Sequence, residues 1–171
     1  MPHKHFDERL TDLERRLLAM SHKVESLVGD SVAMAMGKGD STIDEIYAAD
    51  DAIDQEEVGI EESVIELLAL HQPMASDLRL LVTMLKVNTD LERIGDHAVN
   101  IAEAAIRLSE STERPPRPPE LDEMSRIARQ MLRGSLDAMV HRSDEEATAV
   151  MAEDDRVDGL HESVFRVMLT H

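Results

Sequence analysis

The feature that most restricts this chain is an unbroken apolar seam. Met84, Val87, Leu91, Ile94, Ala98, Ile101, Ala105 and Leu108 follow one another in steps of three and four. Such steps hold side chains on one face of an α-helix, whereas a half-buried strand needs steps of two. The spacing predicts a helix ending near Leu108, with Pro73 in its first turn, where a missing N–H is harmless. Two helices precede it. One runs from about Phe6 to Met36 on Leu10, Leu13, Leu17, Met20, Val24, Leu27 and Val28, and Gly37 and Gly39 stop it. Thr42 with Glu45 carries a capping-box signature that opens the next, which runs to about Leu70 before His71-Gln72-Pro73 breaks it. Three long amphipathic helices with short joints predict an up-down-up bundle over residues 1–112.

Four of the six prolines fall in Glu113-Arg114-Pro115-Pro116-Arg117-Pro118-Pro119-Glu120, which predicts an extended linker over residues 113–120. Beyond it the chain repeats itself. Asp50-Asp51-Ala52-Ile53-Asp54 returns as Asp154-Asp155-Arg156-Val157-Asp158, Glu62-Ser63-Val64 as Glu162-Ser163-Val164, and His71 as His171. The four residues lost between the first two matches are about one helical turn, so the copied face is kept. Ser143 with Glu146 forms a second capping-box signature. The expected architecture is all-α: tandem three-helix-bundle repeats, the second (residues 121–171) holding two helices and lacking its third. Its seam of Val157, Leu160, Val164, Val167 and Met168 is expected to pack on the first repeat or on another subunit.

Composition narrows the function. Aromatics are confined to Phe6, Tyr47 and Phe165, which disfavours a large β-sandwich. With 36 acidic against 18 basic residues the net charge is −18. That excludes nucleic acid and anionic lipid as main partners and favours cations or a basic protein surface. There are no cysteines, hence no disulfide, thiolate metal site or cysteine nucleophile. No apolar run approaches the roughly 18 residues of a membrane span, and the expected location is the cytoplasm.

The chemistry lies in carboxylates at helical spacing. Glu92, Asp96 and Asn100 form one row beside the seam of the third helix, with Glu103 on the same side. The seam Ile43, Ile46, Ile53, Ile60, Val64, Leu67 of the second helix keeps its step only if Asp50 and Glu57 fill the gaps. A bare charge on an apolar stripe must be neutralised, paired or metal-bound. Asp54 lies one turn after Asp50, so two helices each offer an acid-x-x-x-acid pair. All-oxygen ligation suits Mg²⁺, Mn²⁺, Ca²⁺ or oxidised iron, and Zn²⁺ less well. The competing expectation is that Arg79, Lys86 or Arg93 pairs with these acids.

The run His71-Gln72-Pro73-Met74-Ala75-Ser76-Asp77-Leu78-Arg79-Leu80-Leu81, then Leu85-Lys86-Val87, then Asp90-Leu91-Glu92-Arg93-Ile94-Gly95-Asp96-His97-Ala98-Val99-Asn100-Ile101-Ala102-Glu103, resembles the central signature of the PhoU family. The resemblance implies two tandem three-helix bundles. It also implies a cytoplasmic, non-enzymatic, homodimeric regulator of phosphate uptake. Such a regulator would link the ATPase subunit of the phosphate ABC transporter to a sensor histidine kinase and repress the starvation response when phosphate is plentiful. It further implies metal clusters held by E/D-x-x-x-D motifs. These are Glu92 and Asp96 with Asp50 and Asp54 opposite; Asp154 and Asp158 are the second-repeat equivalents, left without a partner helix, and Glu57 and Asn100 are secondary candidates.

Other classes fit less well. There is no nucleophile elbow and no Gly-rich phosphate loop. A ferritin-like di-iron site needs Glu-x-x-His, and no histidine has a glutamate three residues before it. His97 points away from the carboxylate row and is expected on the surface. A helical metal-binding or structural adaptor without a phosphate-signalling role is the alternative reading.

Overall fold

A computed structural model describes residues 2–111 and 117–170. All regular structure among them is helical: α1 Pro2–Met36, α2 Ile43–His71, α3 Ser76–Glu110, α4 Glu120–His141, α5 Asp144–Met151 and α6 Asp154–Leu169. The first three pack on one another, and α4 lies along α1. Leu13, Leu17 and Met20 of α1, Ile53 and Ile60 of α2, and Met84 and Leu91 of α3 share one core, which Leu136 of α4 also enters.

The helix boundaries have local causes. Gly37, at φ +67°, closes α1: its N–H bonds Met34 O, and that of Lys38 bonds Ala33 O at 2.9 Å, the paired reverse bonds of a glycine C-cap. Thr42 and Glu45 form the full capping box, each side chain bonded to the other's backbone N–H. At the start of α5, Ser143 accepts from the Glu146 N–H, but the Glu146 carboxylate turns to His141 Nδ1 at 2.9 Å, so that box is half formed.

One expectation needs correction, and two gain detail. Pro73 stands before α3 rather than in its first turn. Gln72 caps α2 in the left-handed conformation, and the chain makes a further bend at Ala75 (φ 51°) before Ser76 begins the helix. The second half holds the two helices expected of it, the second of them broken into α5 and α6. Ala152 and Glu153 tighten one turn by bonding Val150 O, and the acidic run Glu153-Asp154-Asp155 suits a new helix start. Finally, α6 rests on α4 of its own half and not on the first bundle. Val157, Leu160 and Val164 are half-buried, and Val167 and Met168 are exposed. Two helices cannot enclose each other's apolar faces, so a groove of about 430 Å³ remains. Val87, Leu91 and Ile94 of α3, Met131 and Leu132 of α4, and Val157 of α6 line it. Of the proline-rich stretch, residues 112–116 lie outside the described residues; Arg117 bonds Met36 O at 3.1 Å, and α4 starts at Glu120.

Candidate functional site

The buried face of α3 is Leu81, Met84, Asn88, Leu91, Gly95, Ala98, Ala102 and Ala105. It keeps the step of three and four, but turned by one residue from the apolar seam at alternate positions. Val87 and Ile94 are half-buried and Ile101 is 36% exposed, because the polar Asn88 and the small Gly95 and Ala102 take the contact with the bundle. The turn carries Glu92 inward to a half-buried position and leaves Asp96 exposed at the edge of the α2 contact. On α2, Asp50 and Glu57 are half-buried between Ile46, Ile53 and Ile60, as the spacing requires, and Asp54 is exposed on the same side.

Gly95 sets the approach of the two helices. A Cβ there would lie 3.1 Å from Asp50 Oδ1 and 3.6 Å from Ile53 Cδ1, so only glycine lets the α3 backbone come this close without moving its neighbours. Asp50 Oδ1 is buried and has no hydrogen-bond partner. Burial pushes the Asp50 carboxyl up to about 6, and Asp54, Asp96, Asp51 and Glu92 add repulsion. Asp54 is raised by burial, then by Asp96 and Asp51. Glu57 is raised by burial, then by Glu61 and Asp54. Glu92 is raised by burial, then by Asp96, Asp54 and Glu57, with Arg93 opposing. The two acid rows therefore confront each other across the α2–α3 joint.

None of the three expected counter-ions forms an ion pair with these acids among the described residues. Arg93 pairs with Asp90 at 3.7 Å, and among the described residues neither Arg79 nor Lys86 forms an ion pair with the four acids. Among those residues no three His, Cys, Asp or Glu side chains converge into a ready-made metal centre. The donor set nevertheless suits a hard cation: carboxylate oxygens only, repelling one another, with one buried oxygen unpartnered.

Several candidates stand apart. Asn100 is exposed one turn beyond Asp96. Glu103 is taken by Tyr47 Oη at 3.0 Å and by Arg107. Asp154 and Asp158 are exposed on α6, and Asp154 lines the groove beside Asp90, away from the α2–α3 acids. His97 is exposed, as expected.

Asn88 and Gly95 also belong to this joint, although the apolar periodicity does not single them out. Asn88 is 1% exposed; its Nδ2 donates to the Glu57 backbone carbonyl at 2.8 Å, and its Oδ1 has no partner. Its signal was the step Met84–Asn88–Leu91, which competes with Met84–Val87–Leu91. A glycine in mid-helix, costing about 1 kcal/mol against alanine, marked Gly95.

Comparison with known proteins decides the family. The PhoU domain model matches residues 17–105 and 121–171. The chain belongs to the PhoU family. A PhoU relative, the phosphate-specific transport system accessory protein PhoU homolog of Clostridium acetobutylicum, is 36% identical over 170 residues, covering 99% of this chain and 77% of that protein. The homolog of the same name from Pseudomonas putida is 34% identical over 166 residues, covering 97% of this chain and 65% of its own. The crystal structure of PhoU from Pseudomonas aeruginosa superposes with a TM-score of 0.88 at 34% identity, covering 96% of this chain and 79% of that one. The phosphate transport system regulatory protein PhoU from Streptococcus pneumoniae gives 0.79 at 26% identity, covering 92% and 74%. Both acid pairs, on α2 and on α3, fall inside the first matched segment. Among the described residues no helix is long and apolar enough to cross a membrane.

Proposed function

We propose that this chain is an accessory regulator of phosphate uptake and phosphate-starvation signalling. It works through protein contacts and carries a hard cation between α2 and α3. The observation that supports the cation is the pair of facing acid rows, with no ion pair to them among the described residues and with a buried Asp50 oxygen unpartnered. Asp50, Asp54, Glu92 and Asp96 would hold it, Glu57 would extend the set by one turn on α2, and Asn100 and the Asp154/Asp158 pair are outlying members. Fe, Mn, Mg or Ca matches these oxygens best, with Zn a poorer match. A bound cation supplies positive charge that offsets the repulsion between the rows. The chain's own part is to hold those rows opposite each other: Gly95 admits the α2 side chains, and Ile53, Ile60 and Leu91 pack the joint beneath them.

The family's named role in phosphate transport supports the regulatory reading. The partners we propose are the ATPase subunit of the phosphate ABC transporter and a sensor histidine kinase, met in the cytoplasm by a homodimer. The net charge of −18 makes a basic surface the favoured counterpart. The proposed role is repression of the starvation response when phosphate is plentiful, without catalysis. The test is a bacterial host deleted for its own homolog and carrying a starvation-responsive reporter. The wild-type chain restores repression in high phosphate, and Glu92→Gln with Asp96→Asn weakens it at equal protein level. Equal repression by both would remove the cation from the mechanism; no repression by either would remove the regulatory reading.

A further inference from the structure

We propose that Asn88 is a register pin, a positioning residue whose side chain fixes the axial alignment of α3 on α2 so that the two acid rows face each other. This inference rests on the cation reading above. Two contacts define the alignment: Asn88 Nδ2 to the Glu57 carbonyl at 2.8 Å, and Gly95 against Asp50 and Ile53. Seven residues separate Asn88 from Gly95 on α3, and seven separate Asp50 from Glu57 on α2. Both contacts therefore belong to one antiparallel register, about 10 Å long, and Asp54 and Glu92 fall between them.

The apolar ladder alone specifies that register weakly. Ile46, Ile53 and Ile60 recur every seven residues on α2, as Met84, Leu91 and Ala98 do on α3. A slide of seven residues would repack like against like. Asn88 narrows the choice, because its buried amide is paired only where it meets an α2 carbonyl, here that of Glu57, and a slide by a fraction of a turn would strand it. The cost is visible: Asn88 Oδ1 is buried with no partner. A buried polar residue that lowers stability while fixing alignment is the best-attested use of such groups in packed helices.

The test uses full-length chain freed of metal and titrated with Mn²⁺ alone, free ion being followed by electron paramagnetic resonance and urea unfolding measured in parallel. Asn88→Leu should bind Mn²⁺ at least ten-fold more weakly while its unfolding midpoint stays the same or rises. Asn88→Ala, which leaves space instead of filling it, serves as the second variant: affinity falls while helical content is kept. Unchanged Mn²⁺ affinity in both folded variants overturns the pin and leaves the cation reading standing. No Mn²⁺ binding by the wild-type chain overturns both.

Discussion

Asp50 takes its environment from two helices at once: Ile53 and Gly95 bury it, while Asp54, Asp96 and Glu92 repel its charge. Its carboxyl therefore protonates more readily in the folded chain than in the unfolded one. The stability this confers is complete below the ordinary aspartate range and is lost as pH rises through about 6. Asp54, Glu57 and Glu92 shift in the same direction. In protein stripped of cations, the urea midpoint should thus rise as pH falls from 7 to 5. Asp50→Asn should flatten that rise and be the more stable protein at pH 7. A wild-type midpoint that falls over this interval would contradict the assignment. Asp50 and Glu57 were legible in the sequence because a carboxylate at a seam position breaks a hydrophobic period, and Asp54 and Glu92 because each stands in an acid-x-x-x-acid pair. Asn88 and Gly95 were not, because Val87 and Ile94 offered an equally regular seam one residue away, and periodicity cannot choose between adjacent stripes on a broad apolar face.

At the scale of the element, the starts of α2 and α5 show what capping contributes. The Thr42–Glu45 box satisfies two backbone donors, so Thr42→Ala should cost about 1 kcal/mol in urea unfolding. Ser143→Ala should cost less, because its partner carboxylate is engaged by His141. Both caps could be read from spacing alone, since a box needs only neighbouring residues. The start of α3 could not. Proline is compatible with a first turn and equally with the residue after a left-handed cap, and which one holds depends on how α2 ends at Gln72. The break between α5 and α6 was hidden for a similar reason: Ala152 and Glu153 are good helix formers, and the interruption is one tightened turn.

The whole molecule is unevenly secured. Helices α1 to α3 surround a continuous core, whereas α6 has no buried residue and ends in exposed Phe165 and Leu169, 59% and 70% accessible. Local opening should therefore begin there. In limited proteolysis the first cuts should fall between Met151 and Leu169, leaving a fragment of α1 to α4 that resists further digestion. Cleavage first within α2 or α3 would contradict this. Tandem organisation was legible because the Asp-Asp-x-x-Asp repeat survives in both halves. The resting place of α6 was not, since an uncovered seam shows that a partner is wanted without showing where it lies.

Bound metal is what distinguishes a cation site between the facing carboxylates of α2 and α3 from an empty joint. Elemental analysis of untagged protein purified without chelator, beside the Glu92→Gln/Asp96→Asn double variant, should find stoichiometric Fe, Mn, Mg, Ca or Zn in the wild type and loss of it in the variant. Absence of metal from both, even after reconstitution with Mn²⁺ and Fe, would contradict the cation site and leave the acids as a strained, metal-free joint between two helices.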